Sequence, residues 1–290
     1  MRYEAPETME AAVELLSTDD SARVLSGGTD LLVQLRAEMI DPSLVVDVKQ
    51  IAQMRSVEEE NRGFRVGAAV SGAELGEHEV FKSVWPGVVE AFELIGSTQI
   101  QGRATLGGNL CNASPAADSV PAMIAAGAIA TIHGPGGQRD VPVESVATGP
   151  GQTSLGKGEL VSSFYFPEQP PRTGDAYLRF IPRTEMDIAV VGVGICLSLD
   201  GAGICNAAKI SLGAVAARAL VVQEAADALI GTSVDGEALA NLSEAASAAA
   251  NPIDDKRGTK EFRIQVTGVM ARRTAAIALA RAKRVNKGKA

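Results

Sequence analysis

The sequence predicts an α+β protein of two domains, with an α/β region in its amino-terminal part. Short strand and helix patterns alternate as far as residue 166, as in domains whose helices cover a sheet. A segment with three prolines, 167–172, predicts a stiff linker. Beyond it stand three long strand patterns and then helical ones. A length of 290 residues supports two or three domains. We expect domains at 1–168, with subdomains of about 1–55 and 56–168, and at 173–290.

Hydrophobic periodicity places the individual elements. Residues 8–16 have the pattern of an amphipathic helix that Thr8 caps. Before the linker we further predict strands at 22–25, 44–48, 54–57, 64–66, 128–133 and 159–166, and helices from 31, near 72–78 and at 86–95 and 117–126. After the linker we predict an antiparallel sheet of strands 176–181, 188–199 and 204–215, and helices at about 219–231, 236–249 and 259–284.

Composition excludes several classes of function. The net charge of −8 disfavours binding to nucleic acid. Three cysteines without a CxxC spacing and two histidines do not provide a usual zinc or iron–sulfur site. The chain starts without an apolar signal core, and its longest apolar run, 120–132, is shorter than the roughly 20 residues of a membrane span. We therefore expect a cytoplasmic protein that is not integral to a membrane.

The stretch Thr-Leu-Gly-Gly-Asn-Leu-Cys-Asn-Ala-Ser-Pro-Ala-Ala-Asp, residues 105–118, is the most informative part of the chain. A glycine doublet lets a ligand approach the backbone, and consecutive amide groups can converge on an anion. No lysine or arginine lies between Arg103 and Arg139. Amides and neutral side chains would therefore hold a phosphate here, which suits a resident diphosphate. The alternative is a tight glycine turn followed by a polar loop.

A second segment with the same potential is Ser-Gly-Gly-Thr-Asp, residues 26–30. It lies between a predicted strand and a predicted helix, where backbone amides can meet a phosphate. Its spacing is not that of the G-x-G-x-x-G dinucleotide motif. By itself the segment is weak evidence, because many strand-to-helix turns have this composition.

The segment Gly-Gln-Thr-Ser-Leu-Gly-Lys, residues 151–157, has the spacing of a triphosphate-binding loop up to its lysine. The next residue is Gly158, where that motif needs a hydroxyl for Mg²⁺, and a strand pattern follows in place of the required helix. We therefore reject a nucleotide triphosphatase.

Cations gather at the end of the chain. They are predicted to solvate the carboxy-terminal end of a helix, where positive charge is favoured. Contact with a membrane or a partner is the alternative. The residues are Arg281, Lys283, Arg284, Lys287 and Lys289.

The two glycine segments together resemble the FAD-binding segments of molybdenum hydroxylase flavoproteins. These are the medium, FAD-carrying subunits of the xanthine dehydrogenase and carbon monoxide dehydrogenase family. The resemblance covers essentially the whole chain, and Arg-Thr-Glu-Met-Asp-Ile-Ala at 183–189 resembles a segment of the family's carboxy-terminal flavoprotein domain. It implies a vanillyl-alcohol-oxidase-like (PCMH-type) FAD-binding fold, in which two subdomains hold the flavin and an α+β domain caps it.

The resemblance also implies which residues bind FAD. Asp118 would accept a hydrogen bond from a cofactor hydroxyl, Val161 would pack on the isoalloxazine ring, and Arg179 stands where some members have a lysine near that ring. Both histidines lie outside the two segments, and Cys111 is expected to pack in the fold, so we expect FAD to be non-covalent. Adenosine and diphosphate would be held by Val24, Leu25, Ser26, Gly27, Gly28, Thr29 and Asp30 on one side and by Thr105, Gly107, Gly108, Asn109 and the neutral donor Ser114 on the other.

The function implied is that of an electron-transfer subunit. The molybdenum cofactor and 2Fe-2S clusters would belong to a large and a small partner subunit, in a dimer of heterotrimers. Electrons would pass from the clusters through FAD to NAD, oxygen or a quinone-linked acceptor. A free-standing FAD-dependent oxidoreductase of the same fold and a flavin-free scaffold subunit are the alternatives.

Overall fold

The computed structural model describes residues 1–183 and 186–284. Its first part contains β1 (Arg2–Glu4), α1 (Met9–Thr18), β2 (Arg23–Leu25), α2 (Leu31–Arg36) and β3 (Leu44–Asp47). The strands form a parallel sheet in the order β1-β3-β2. Every residue of the central strand β3 is buried, as expected for a strand covered on both faces. The Thr8 hydroxyl accepts a hydrogen bond from the Ala11 amide, which confirms the predicted cap of α1.

The second part is built on a five-stranded antiparallel sheet. Its elements are β4 (Val57–Glu60), β5 (Gly63–Gly67), α3 (Gly72–Glu77), α4 (Glu79–Val84), α5 (Pro86–Glu93), α6 (Thr98–Gln101), α7 (Leu106–Cys111), α8 (Ser119–Ala125), β6 (Ile129–Gly134), β7 (Gly137–Pro142), β8 (Ala147–Gly149), β9 (Gln152–Thr153) and β10 (Leu160–Phe166). The sheet order is β4-β5-β10-β6-β7, and β8 pairs with β9 separately.

One prediction for this part is wrong. Residues 54–57 were expected to form a strand, but a 3₁₀ turn at Ala52–Met54 precedes a strand that starts only at Val57. Met54 is buried beneath the sheet, and its carbonyl oxygen accepts a hydrogen bond from the Ala69 amide. Met54 therefore packs in the core although it lies in a turn. A short apolar pattern does not distinguish such a turn from a buried strand.

The third part is an antiparallel sheet covered by helices, as the sequence predicts. It contains β11 (Thr173–Phe180), β12 (Val191–Leu199), β13 (Cys205–Gly213), β14 (Leu220–Val221), α9 (Gln223–Asp227), α10 (Gly236–Ala249) and α11 (Lys260–Lys283). The strands follow one another in the sheet. The helix expected at about 219–231 is largely wrong, because its first residues add the edge strand β14 to β13. None of the helices in 1–183 and 186–284 is long and apolar enough to cross a membrane.

Two separate clusters of buried apolar side chains lie on either side of the proline segment. We propose that they mark the two predicted domains. Contact between them is close, because Tyr177 of β11 is buried in the first cluster. A Cβ atom on Gly194 of β12 would lie 2.4 Å from the carbonyl oxygen of Pro121 in α8. The carboxy-terminal sheet therefore packs directly on α8 at this glycine.

The basic residues at the end of the chain are not all solvated. Arg281 of α11 forms an ion pair with Glu90 of α5 and donates to the carbonyl oxygen of Asp175 at 2.7 Å. For this residue the prediction of a solvated helix end is wrong, because its guanidinium group pairs with Glu90 of α5. Lys287 and Lys289 lie outside the described residues.

Asp175 is a buried carboxyl group in the same contact. Its Oδ2 accepts a hydrogen bond from the Gly87 amide at 2.8 Å, whereas Oδ1 has no partner among the described residues. Glu90 of α5 and Arg281 of α11 are the ionisable groups that act on its pKa, and Asp175 in turn raises the pKa of the Cys196 thiol on β12. Burial raises the pKa of Asp175 to about 7, although Arg281 and the Gly87 amide oppose the shift.

Stability should therefore depend on the charge of Asp175. Since its folded pKa lies above the unfolded value, its contribution is fully present below about pH 4 and is lost as the pH rises through about 7. At pH 8 an Asp175→Asn variant should be more stable than the wild type, by on the order of a few kcal/mol of unfolding free energy, whereas at about pH 4 the two should be nearly equal. Thermal unfolding at several pH values measures this, with the exposed Asp227→Asn as control. A difference in melting temperature that is the same at both pH values would contradict it.

Candidate cofactor-binding site

The main cavity of the structure has a volume of about 700 Å³ and is bounded by three segments. These are the loop between β2 and α2, the start of α7, and the stretch from β9 into β10. A volume of this size is typical of cofactor and ligand sites. The cavity is lined by these predicted site residues: Val24, Ser26, Gly27, Gly28, Thr29, Asp30, Thr105, Gly107, Gly108, Asn109 and Val161.

The loop that follows β2 turns its backbone amides away from the protein's own acceptors. Within the described residues, the N–H groups of Gly27, Gly28 and Thr29 donate no hydrogen bond. Gly27 needs to lack a side chain, since its Cβ would lie 2.0 Å from the carbonyl oxygen of Arg103. Gly28 has a φ of +78°, in the left-handed region that favours glycine. The predicted site thus contains three unpaired amides beside the cavity.

The opposite wall begins at Thr105, which is the N-cap of α7. Its hydroxyl accepts a hydrogen bond from the Gly108 amide at 3.0 Å and lies 3.0 Å from the Ser26 hydroxyl. The two glycine segments are therefore joined at their bases by one hydroxyl pair. Gly107 and Gly108 lie in the helix itself, so the predicted glycine turn is the first turn of α7.

The two glycines of α7 have different surroundings. A Cβ on Gly107 would lie 2.7 Å from the carbonyl oxygen of Ala68, so this position packs against the protein. A Cβ on Gly108 would meet only the Thr105 hydroxyl, at 3.0 Å. Gly108 thus keeps an open space on the cavity side. Asn109 also lines the cavity, and its Oδ1 accepts a hydrogen bond from the Ser119 hydroxyl at 2.6 Å, which ties α7 to α8.

Four predicted residues do not line the main cavity: Leu25, Ser114, Asp118 and Arg179. Leu25 packs behind Gly28. Ser114 lines a second cavity of about 560 Å³, between the polar loop after α7 and the carboxy-terminal part. For these residues binding to the cofactor stays a prediction.

Asp118 and Arg179 form a buried ion pair with each other. Arg179 Nη1 lies 2.8 Å from Asp118 Oδ2, and the Tyr177 hydroxyl donates to Asp118 Oδ1 at 2.8 Å. Burial raises the pKa of Asp118 to about 6, an effect that Arg179 and Tyr177 partly offset. Two protein side chains thus donate to Asp118, and its expected contact with a cofactor hydroxyl stays a prediction. The sequence did not indicate this, because both donors follow some 60 residues later, at 59 and 61 positions.

The segment 151–157, which the sequence analysis rejected as a triphosphate-binding loop, forms the third wall of the cavity. Gly151, Gly156, Lys157 and Gly158 line it, and Lys157 makes an ion pair with Asp20 at 2.6 Å. The strand β10 that follows is the reason to reject the motif, since a triphosphate loop leads into a helix. The sequence analysis did not identify this segment as a wall of the cavity, although its glycines, like those of the other two segments, were a signal for a ligand site.

The side chains that could attach a flavin covalently are engaged or have a raised pKa. His78 Nδ1 accepts a hydrogen bond from the Phe81 amide, and His133 Nδ1 lies 2.9 Å from the Ser162 hydroxyl. Cys111 lines the cavity, but burial raises the pKa of its thiol to about 12. Because the thiolate is the reactive form, this shift disfavours covalent attachment of a flavin through Cys111 at neutral pH.

Comparisons with known proteins show the family of this chain. The family model of the FAD binding domain in molybdopterin dehydrogenase matches residues 1–169, and that of the CO dehydrogenase flavoprotein C-terminal domain matches 176–278. The xanthine dehydrogenase FAD-binding subunit of Escherichia coli is 30% identical over 97% of this chain and 96% of its own. The carbon monoxide dehydrogenase medium chain of Afipia carboxidovorans is 32% identical over 97% of both. The structure of reconstituted CO dehydrogenase from Oligotropha carboxidovorans matches with a TM-score of 0.93 and 32% identity, over 97% of this chain and 98% of that one.

The fold and the site thus define an FAD-binding flavoprotein of the oxidoreductase class. The chain belongs to the family of FAD-binding medium subunits of molybdenum hydroxylases. The predicted fold class and family are confirmed, and FAD is the cofactor.

The residues present in the cavity fit such a cofactor. Three amides without an acceptor can donate to a diphosphate, and the space above Gly108 leaves room for it. The hydrogen-bonded hydroxyl pair of Ser26 and Thr105 adds one neutral donor at the same place. Hydrogen bonds to a charged group are about twice as strong as those between neutral groups, so no cation is needed at this point of the cavity.

Proposed function

We propose that this chain carries FAD as the electron-transfer subunit of a molybdenum hydroxylase complex. Electrons would come from 2Fe-2S clusters of a partner subunit and leave through FAD to NAD, oxygen or a quinone-linked acceptor. The observation that carries the proposal is the pair of glycine segments that face one cavity with unpaired amides. Bound FAD supplies the required chemistry, since a flavin accepts electrons singly and releases them in pairs.

We propose that the chain's own residues bind and orient this cofactor without covalent attachment. Gly27, Gly28 and Thr29 donate to the diphosphate from one side, and Thr105 with the open position at Gly108 completes the cradle. Val161, which is buried at the end of the cavity, provides an apolar surface for the flavin ring. The raised pKa of the Cys111 thiol supports a non-covalent complex.

The partners that we propose are a large subunit with the molybdenum cofactor and a small subunit with the clusters, in a dimer of heterotrimers. Relatives are named a medium chain and an FAD-binding subunit. Helix α2, beside the cavity, buries none of its residues, and Leu32, Val33 and Met39 are 49%, 60% and 71% exposed. An apolar surface of this kind is typical of a contact with another chain. The three cysteines are free thiols, as expected of a protein that works in the cytoplasm.

Two alternatives differ in what they require of the chain. A flavin-free scaffold subunit would not need the glycine segments, yet both are intact and face the same cavity. A free-standing oxidoreductase would be reduced by its own substrate without other subunits. The following experiment distinguishes the free-standing oxidoreductase from our proposal.

Purification from the native host under mild conditions tests the proposed function. We expect two further subunits to co-purify, one with molybdenum and one with iron and labile sulfide. Substrate should bleach the FAD absorbance only when both are present, and NAD or another acceptor should restore it. If the isolated chain were reduced by a substrate at the rate of the complex, the free-standing enzyme would replace our proposal.

A further inference from the structure

A lysine stands directly behind the loop that carries the unpaired amides. Lys49 Nζ lies 3.0 Å from the carbonyl oxygen of Ser26 and 2.7 Å from Oδ1 of Asp47. Its side chain is only 22% exposed. The sequence offered no cation within either glycine segment, and Lys49 reaches this one from the turn after β3.

The ammonium group of Lys49 is itself held in place. Asp47 Oδ1 also accepts a hydrogen bond from the Lys49 amide at 3.0 Å, and the Tyr3 hydroxyl donates to Asp47 Oδ2 at 2.6 Å. Asp47 pairs with Leu25 across the parallel sheet, one residue before Ser26. The chain of contacts from Tyr3 through Asp47 and Lys49 to Ser26 is thus anchored on all three strands of the first sheet.

The contact with Ser26 determines the direction of the next amide. In a planar trans peptide the C=O and the following N–H point in opposite directions. Because the Ser26 carbonyl is directed at Lys49, the Gly27 N–H is directed away from it. Gly27 lines the cavity and its N–H has no acceptor among the described residues. A positive charge at the oxygen also polarises the peptide and strengthens the N–H as a donor.

We propose that Lys49 is a positioning residue for the cofactor, which fixes the peptide between Ser26 and Gly27 so that its N–H donates to the diphosphate. The inference rests on the proposed binding of FAD in this cavity. Lys49 does not itself line the cavity, so it acts through the backbone. The Ser26 hydroxyl, 3.0 Å from that of Thr105, holds the same residue from the other side.

Titration of the flavin-free protein with FAD, followed by flavin fluorescence, tests this role. Lys49→Met should raise the dissociation constant about tenfold or more, the loss expected when one hydrogen bond to a charged group is misdirected. Lys49→Arg, which can still donate to Ser26, should remain within about threefold of the wild type. Lys82→Met, which removes an exposed ion pair with Glu93, is the control and should bind normally.

The thermal stability of the flavin-free variants distinguishes positioning from a general loss of structure. Lys49→Met leaves the buried Asp47 without its cation and should melt below Lys49→Arg, so FAD binding is compared at a temperature well below both unfolding transitions. If Lys49→Met does not fold, Lys49→Gln takes its place. Normal binding by the Met variant, or equal weakening by Met and Arg, would overturn the inference. If the wild type takes up no FAD, the proposed function fails instead.

Discussion

A Gly108→Val variant is expected to fold normally and to purify without FAD. The open space above Gly108 is bounded only by the Thr105 hydroxyl, so the protein itself can accommodate a side chain after a small shift. The branched side chain would instead occupy the room that the diphosphate needs. Loss of two hydrogen bonds to a charged group, at about 1.5–3 kcal/mol each, weakens binding by about 100-fold or more. Flavin content and titration with FAD measure the effect.

Neighbouring glycines supply the controls for this result. Gly107→Val should destabilise the fold itself, because a Cβ there meets the backbone of Ala68. Gly236, the first residue of α10, has no atom within 4 Å of its Cβ position, so Gly236→Val should keep both fold and flavin. A folded Gly108→Val protein with a normal flavin content would show that the diphosphate lies elsewhere.

An Arg179→Met variant is expected to lose about 3 kcal/mol of unfolding free energy at pH 8. Arg179 and Asp118 have side chains only 5% and 9% exposed, so removal of the cation leaves a buried carboxylate with Tyr177 as its remaining partner. The Asp118→Asn/Arg179→Met double variant should recover most of the loss, because it leaves no buried charge. Denaturant unfolding of the wild type, the two single variants and the double variant measures the four unfolding free energies of this double-mutant cycle.

The free energy that Arg179→Met costs depends on pH through the ionisation of Asp118. Asp118 has a folded pKa of about 6, above its unfolded value, so its favourable contribution is present below about pH 4 and is lost as the pH rises through 6. Without Arg179 the pKa rises further, and the carboxyl group is neutral at pH 5. The cost of Arg179→Met should therefore be small at pH 5 and large at pH 8. Equal costs at both pH values, or a loss no greater than that of the exposed Lys82→Met control, would contradict the account.

Features with a local cause could be predicted from the sequence. A side chain that caps a helix and a glycine that follows a strand act within a few residues, so Thr8 and Gly28 are recognisable in the sequence. The linker and the order of the long strands have similarly local signals. For the same reason the two glycine segments, and with them the family, could be identified before the structure.

Features that depend on distant residues could not be predicted. Lys49 meets the carbonyl of Ser26, 23 positions earlier, and Arg179 meets Asp118, 61 positions earlier. A sequence shows that a charged residue is present but not which backbone group it reaches. The 151–157 segment was judged by its motif alone, and only the packing of β10 shows that it forms a wall of the cavity. The edge strand at Leu220–Val221 likewise exists because β13 offers a partner.

The flavin content of the purified chain tests the central claim most directly. Acid precipitation should release one FAD per chain into the supernatant and leave a colourless protein pellet, since we propose that no covalent bond holds the cofactor. The same chain, stripped of flavin, should take up FAD again to the same stoichiometry. A chain that is colourless as purified and takes up no FAD would contradict the account.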